Sequence, residues 1–203
     1  IFQSITSIAI SPNIIKINGM IFNKFSKLTQ IIIPDSVKFI DPLAFSECSL
    51  LTSISLPPNL SVINSSVFAN CSSLTNIVIP ASVIKIETSA FEYCTSFVNI
   101  KIPSSVKVVC DFAFKGCSSL HKVYADPYRT KFEPNVFQDC QSLTQLNIST
   151  TDSIIHKSDL SSFSNIKRIK LSSDATSIEE CCFSNCSSLT QVTIGSLVTK
   201  IGK

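Results

Sequence analysis

Apolar residues in this chain recur on a fixed count of 23. Phe45, Phe68, Phe91, Phe114, Phe137 and Phe183 share one column of the repeat, and Leu160 stands in register where another Phe is due. Three residues on lie Cys48, Cys71, Cys94, Cys117, Cys140 and Cys186, with Phe163 in the gap. Three further come Leu51, Leu74, Phe97, Leu120, Leu143, Ile166 and Leu189. No insertion breaks the count from Phe22 to Leu189. Self-similarity at this period is the mark of a solenoid, because one short unit cannot bury its own apolar face and must stack on its neighbours.

Within each unit, pairs such as Ile31/Ile33, Ile54/Leu56, Ile77/Ile79, Ile100/Ile102, Val123/Ala125, Leu146/Ile148, Ile169/Leu171 and Val192/Ile194 alternate with mostly polar residues, which predicts a half-buried strand. Pro34, Pro57, Pro80 and Pro103 follow at once. Lacking an N–H and fixing φ, they end each strand. Val37/Ile40, Val83/Ile86 and Val106/Val109 then supply a second inward-facing edge. Ala-Phe-x-x-Cys, as in 113–117, suits one turn of 3₁₀ or α-helix, and the Ser-Ser after it is turn chemistry. Parallel strands joined by crossovers wind right-handed. The expectation is an α/β-type repeat protein, a right-handed solenoid with a parallel β-sheet on its concave side and short 3₁₀ or helical turns and loops elsewhere. Residues 1–203 form a single continuous array of about eight repeats, cut mid-repeat at both ends. The apolar start is repeat too: Phe2, Ile5, Ile8, Ile10, Ile14 and Ile17 fall on repeat columns, which a cleavable signal has no reason to keep.

Two places break the pattern. Asp126 takes the strand-ending Pro position and Arg129 the apolar Val position. In the next unit Asp152, Asp159, Leu160 and Phe163 stand for Val, Ala, Phe and Cys. Local loosening or a re-aimed loop accounts for both.

Composition narrows the functional classes. The chain is 44% hydrophobic and 15% charged, too apolar for disorder. Its net charge of +3 gives no basis for nucleic-acid binding, and no apolar span reaches the length of a membrane helix. Six of nine cysteines sit in one apolar column and are expected to be reduced core thiols, small hydrophobes in effect. Cys110 falls in the column of Asp41, Asn64, Glu87, Glu133, His156 and Glu179, and is expected to face solvent.

The residues Ile-Pro-Ser-Ser-Val-Lys-Val-Val-Cys-Asp-Phe-Ala-Phe-Lys-Gly-Cys-Ser-Ser-Leu (102–120) resemble the 23-residue leucine-rich repeat of BspA-like proteins, and the resemblance runs over essentially the whole chain. It implies a leucine-rich-repeat binding module of a cell-surface or secreted protein that adheres to host matrix or cell-surface proteins. It transfers no functional residues, because the family has no fixed set. A cytoplasmic scaffold with no adhesive role is the alternative, favoured by reduced thiols and the lack of a signal.

No catalytic motif is present. His121 and His156 lie in different columns, and Cys181, Cys182 and Cys186 lack a second pair at zinc spacing, so neither enzymatic activity, nor a cofactor, nor a metal is expected. The informative place is the outward side of the predicted sheet. One column reads Gln30, Ser53, Asn76, Asn99, Lys122, Gln145, Arg168, Gln191, and the other Ile32, Ser55, Val78, Lys101, Tyr124, Asn147, Lys170, Thr193. These positions hold four cations, one tyrosine and no acid, although the chain has fourteen carboxylates. Lys101, Lys122, Tyr124, Arg168 and Lys170 are therefore the candidate binding residues for a protein partner or an acidic, sulfated glycan. Solubility and protection of a sheet would also place Lys there. Asn-x-Ser/Thr triplets start at Asn59, Asn64, Asn70, Asn147 and Asn185.

Overall fold

The computed structural model describes residues 4–150, 152–156, 160–184 and 186–202; Phe2, Asp159 and Asn185 lie outside the described residues. The chain winds as a parallel β-solenoid of about eight turns with almost no helix. Each turn contributes a first strand of two to four residues and, after the Pro corner, a second strand of two. First strands pair only with first strands, in parallel and 23 residues apart: Ile8 with Ile31, Ile54 with Ile77, Val123 with both Ile100 and Leu146. The Val-x-x-Ile segments do the same, pairing Ile17 with Ile40 and Val109 with Ile86 and Phe132. What the sequence marked as a second inward edge is thus a second parallel ladder. Repeat length is the sheet register.

The alternation of burial follows the alternation of residues. Ile31, Ile33, Ile100, Ile102, Leu146, Ile148 and Ile169 are buried, while Ile194 is 42% exposed. The prolines act as expected, each offering its carbonyl to a turn bond, from Val37 to Pro34 at 3.1 Å and from Val106 to Pro103 at 3.0 Å. In two of the turns without the Pro the strands are longer. Lys122–Ala125 and Gln145–Ile148 have four residues, and the N–H of Ser149 donates to Ala125 O at 2.8 Å, a bond that proline cannot make. Asp126 keeps the corner closed: its carbonyl accepts from Arg129 N at 3.1 Å and its carboxylate from Tyr128 N at 3.1 Å. Its side chain is buried and pairs with Arg129, which also bonds Asp152 of the next turn. This departure ties two turns together, so the expected loosening is a brace instead.

The third side corrects the helical expectation and with it the α/β label. Ala-Phe-x-x-Cys is not helical; one 3₁₀ helix, Ser161–Phe163, is found among the described residues. In the other turns two columns take positive φ: Leu43, Ser66, Ser89 and Phe112 before the Ala-Phe pair, and Glu47, Asn70, Tyr93 and Gly116 before the Cys. A left-handed residue on each side leaves too few right-handed ones between for an i→i−4 ladder. Bonding alternates instead. Ala44, Ser46 and Cys48 donate within their own turn, to Asp41, Leu43 and Phe45, while Leu43, Phe45 and Glu47 donate to Ser65, Val67 and Ala69 of the next. Each non-glycine left-handed residue costs about 1–2 kcal/mol, and the bond it aims along the solenoid offsets that strain.

Inside, the phenylalanines form a file of rings. Phe22, Phe45, Phe68, Phe91, Phe114 and Phe137 stack with centroids 5.2–5.6 Å apart and planes within 15°. Where Leu160 replaces the Phe, Phe163 brings its ring to 5.0 Å from Phe137, tilted 37°. Beside the rings runs a file of thiols, all nine cysteines being free. Sγ of Cys71, Cys94, Cys117 and Cys140 lies 3.0–3.3 Å from the carbonyl of Phe45, Phe68, Phe91 and Phe114, one turn back. The same carbonyl already accepts the N–H of its own turn's cysteine. The thiol takes the second lone pair, so cysteine here is more than a small hydrophobe. Burial pushes the thiols of Cys71, Cys94 and Cys117 up, and that of Cys48 from the ordinary 9.0 to about 12. Cys110 is also buried, 6% exposed, beside Glu87, which corrects the expectation that it faces solvent.

Three outcomes are expected. Phe91→Ala opens a cavity in the ring file and costs about 3–5 kcal/mol in chemical denaturation. Gly116→Ala puts a Cβ at a φ of +68° and 2.3 Å from the Tyr93 ring; such strain lowers stability by roughly 1–3 kcal/mol. Cys48 binds its proton more tightly folded than unfolded, so its contribution is whole below pH 9 and is lost as pH rises from about 9 towards 12. The urea midpoint should fall between pH 8 and pH 10.5, and less so in Cys48→Ala.

Candidate functional site

The outward side of the first ladder is built by strict alternation: with Ile100, Val123, Leu146 and Ile169 turned into the core, their neighbours must face out. Five strands form one continuous sheet, Asn99–Lys101, Lys122–Ala125, Gln145–Ile148, Arg168–Lys170 and Gln191–Thr193. Its register sets Lys101, Tyr124, Asn147, Lys170 and Thr193 in one row and Asn99, Lys122, Gln145, Arg168 and Gln191 in the other. All five candidate residues therefore come together on one face. Lys122 Nζ lies 5.7 Å from the centre of the Tyr124 ring, within cation–π reach. Between the two cationic pairs, Gln145 Nε2 donates to Asn147 Oδ1 at 3.2 Å.

Sign of charge sets this face apart, since its outward columns hold four cations and no acid. Lys16, Lys24, Lys85, Lys115 and Arg129 each have a carboxylate within 4.0 Å. Among the described residues Lys101, Lys122, Arg168 and Lys170 have none. At the low-numbered end of the sheet lies a groove of about 380 Å³, lined by Asn76, Val78, Ala81, Lys101, Pro103 and Tyr124 among others. Val78 is 75% exposed on its wall. The sequence put Val78 in the outward column but gave no sign that it lines a groove, because the depth comes from the Pro corners of neighbouring turns.

Elsewhere the chemistry is structural. His121 Nδ1 lies 2.6 Å from Ser119 O, and His156 Nδ1 lies 3.1 Å from Glu179 Oε1. Among the described residues no three His, Cys, Asp or Glu side chains converge as metal ligands, and no helix is long and apolar enough to cross a membrane. Cys181 is exposed while Cys182 and Cys186 are buried. Of the Asn-x-Ser/Thr positions, Asn64 spends its amide on Ile40 O at 2.7 Å, Asn59 and Asn70 are exposed, and Asn147 stands on the candidate face.

No curated protein sequence matches the chain. Among solved structures, a leucine-rich repeat protein of T. pallidum matches with 24% identity and a TM-score of 0.53, over 86% of this chain and 70% of that one. The pneumococcal vaccine antigen PcpA matches with 17% identity and a TM-score of 0.54, over 98% of this chain and 58% of that one. A leucine-rich repeat protein of Bacteroides ovatus has 20% identity and a TM-score of 0.43, over 98% and 75%. At such identities the matches to the T. pallidum protein and to PcpA speak for the fold alone. The model of the BspA type leucine rich repeat region matches residues 2–98 and 84–203, in six copies, and the chain belongs to that family.

Proposed function

We propose that this chain is an adhesive interaction module, displayed at a cell surface or secreted, that binds an anionic protein or glycan along the outward face of its first ladder. The leucine-rich repeat is a general protein-interaction fold, and a right-handed winding that sets this face on the concave side would let one extended partner touch several turns at once. The observation that carries the proposal is the four unpaired cations around Tyr124 on a face without a single acid. Away from this face Lys16, Lys24, Lys85, Lys115 and Arg129 each stand beside a carboxylate, whereas the face itself carries cations alone. The role is binding and not catalysis, because the face offers charge, amides and an aromatic ring but no nucleophile beside a base.

The nine free thiols favour a second reading, an intracellular scaffold with no adhesive role. Mass analysis of protein from its native source separates the two: glycans at Asn59 or Asn70 support display outside the cell, and unmodified peptides at both support the scaffold.

The charge reversals Lys122→Glu and Arg168→Glu should each weaken binding to polyglutamate at low salt and flatten the salt dependence of the affinity. Exchanging the paired Lys24 for Glu should do neither. Equal affinities across all the variants would overturn the assignment of the face.

A further inference from the structure

We propose that the groove at the low-numbered end of the basic face is an anchor pocket for one large apolar side chain of an acidic polypeptide segment, so that the partner is a protein and not a glycan. This rests on the reading of the face as a binding surface and makes it specific. Val78 stands 75% exposed in a column whose neighbours are Ser55 and Lys101. A bare β-branched side chain beside Ala81, Pro103 and the half-buried Tyr124 ring makes an apolar floor and wall, and the open-sided groove of about 380 Å³ accommodates a Leu or Phe side chain. The exposed amides of Asn76 and Asn99 line the same groove and can bond a peptide backbone. Lys101 lines the groove and Lys122 lies over the ring of Tyr124, another lining residue, both lysines being without a carboxylate partner. A sulfated glycan would satisfy the cations but has no apolar group to cover Val78, Ala81 and Pro103, and wetting those surfaces adds nothing to affinity.

The register gives the ligand a direction and a length. The outward row runs from Lys101 through Tyr124 and Asn147 to Lys170, and Val78 stands one repeat before Lys101 in the same groove, so anchor and Lys170 are about four repeat spacings apart, or roughly 19 Å at about 4.8 Å each. An extended peptide advances about 3.3 Å per residue, so it needs roughly six residues to reach from the anchor to Lys170. The segment that fits carries its apolar anchor at one end, a carboxylate within about two residues to meet Lys101 and Lys122, and a second about six residues from the anchor to meet Arg168 and Lys170.

The test is selection from a phage-displayed random dodecapeptide library on the intact chain, followed by fluorescence anisotropy of the recovered peptides and of low-molecular-weight heparin. Enriched peptides should share one large apolar residue with carboxylates at the spacings above. Val78→Ser, which copies Ser55 of the same column and changes no charge, should lower their affinity at least tenfold while leaving heparin binding and the thermal midpoint unchanged. Enriched acidic peptides without an apolar residue, or unchanged peptide affinity in Val78→Ser, would overturn the anchor pocket. If Lys122→Glu still abolishes binding in that case, the basic face stands and the groove alone falls. Heparin binding with no peptide recovered would replace the protein partner by a glycan, and no binding of either probe would remove both assignments.

Discussion

Every feature of this molecule follows from one constraint, that each residue lies over its equivalent 23 positions away. Parallel pairing in both ladders, the forward bonds of the third side, the ring file and the thiol file are the same register seen at different columns. A side chain in such an array is packed mainly by copies of itself. The best residue for a column is therefore one that stacks on its own kind: flat rings overlap offset, β-branched chains interdigitate, and a thiol reaches back to the carbonyl below. It also explains how a chain with short strands and almost no helix is held. The backbone bonds that a larger sheet would concentrate in long strands are spread around three sides of each turn.

Much of this was legible in the sequence because columns report burial directly. The Phe, Cys and Leu columns predicted the core, the alternating pairs predicted the first ladder, and the prolines predicted where strands stop. What escaped notice depends on backbone torsion and on polar geometry. Nothing in Leu43, Glu47 or Tyr93 announces a left-handed conformation, since each is an ordinary residue held there by the turn above it, and only Gly116 hints at the requirement. The second ladder was hidden because two-residue strands show no alternation to detect. Cys110 looked exposed by analogy with the charged residues of its column, yet a thiol is small enough to be covered between Glu87 and Glu133.

The candidate face was legible as a list of outward residues and not as a surface. The sequence yielded the four cations and Tyr124, and strict register did the rest by bringing them into one sheet. That no carboxylate of the described residues comes within 4.0 Å of these cations, and that Val78 opens onto a groove, are properties of three-dimensional spacing. The shift at Phe163 teaches a similar lesson: Leu160 and Phe163 read as two separate departures, but together they move one ring by three residues and keep the file closed.

The lost prolines bear on how the face meets a partner. Asp126 and Ser149 stand where Pro34, Pro57, Pro80 and Pro103 stand in other turns, and the strands they follow are the longest in the sheet, the first carrying Lys122 and the second lying between the two pairs of cations. The added backbone bonds and the Asp126–Arg129–Asp152 brace stiffen the platform there, and Lys122 is held against Tyr124 before any ligand arrives. A surface fixed in advance gives up little conformational freedom on association, so more of each contact is expressed as affinity. The price of that rigidity is selectivity by shape, since such a platform cannot bend to follow a partner whose charges are spaced differently.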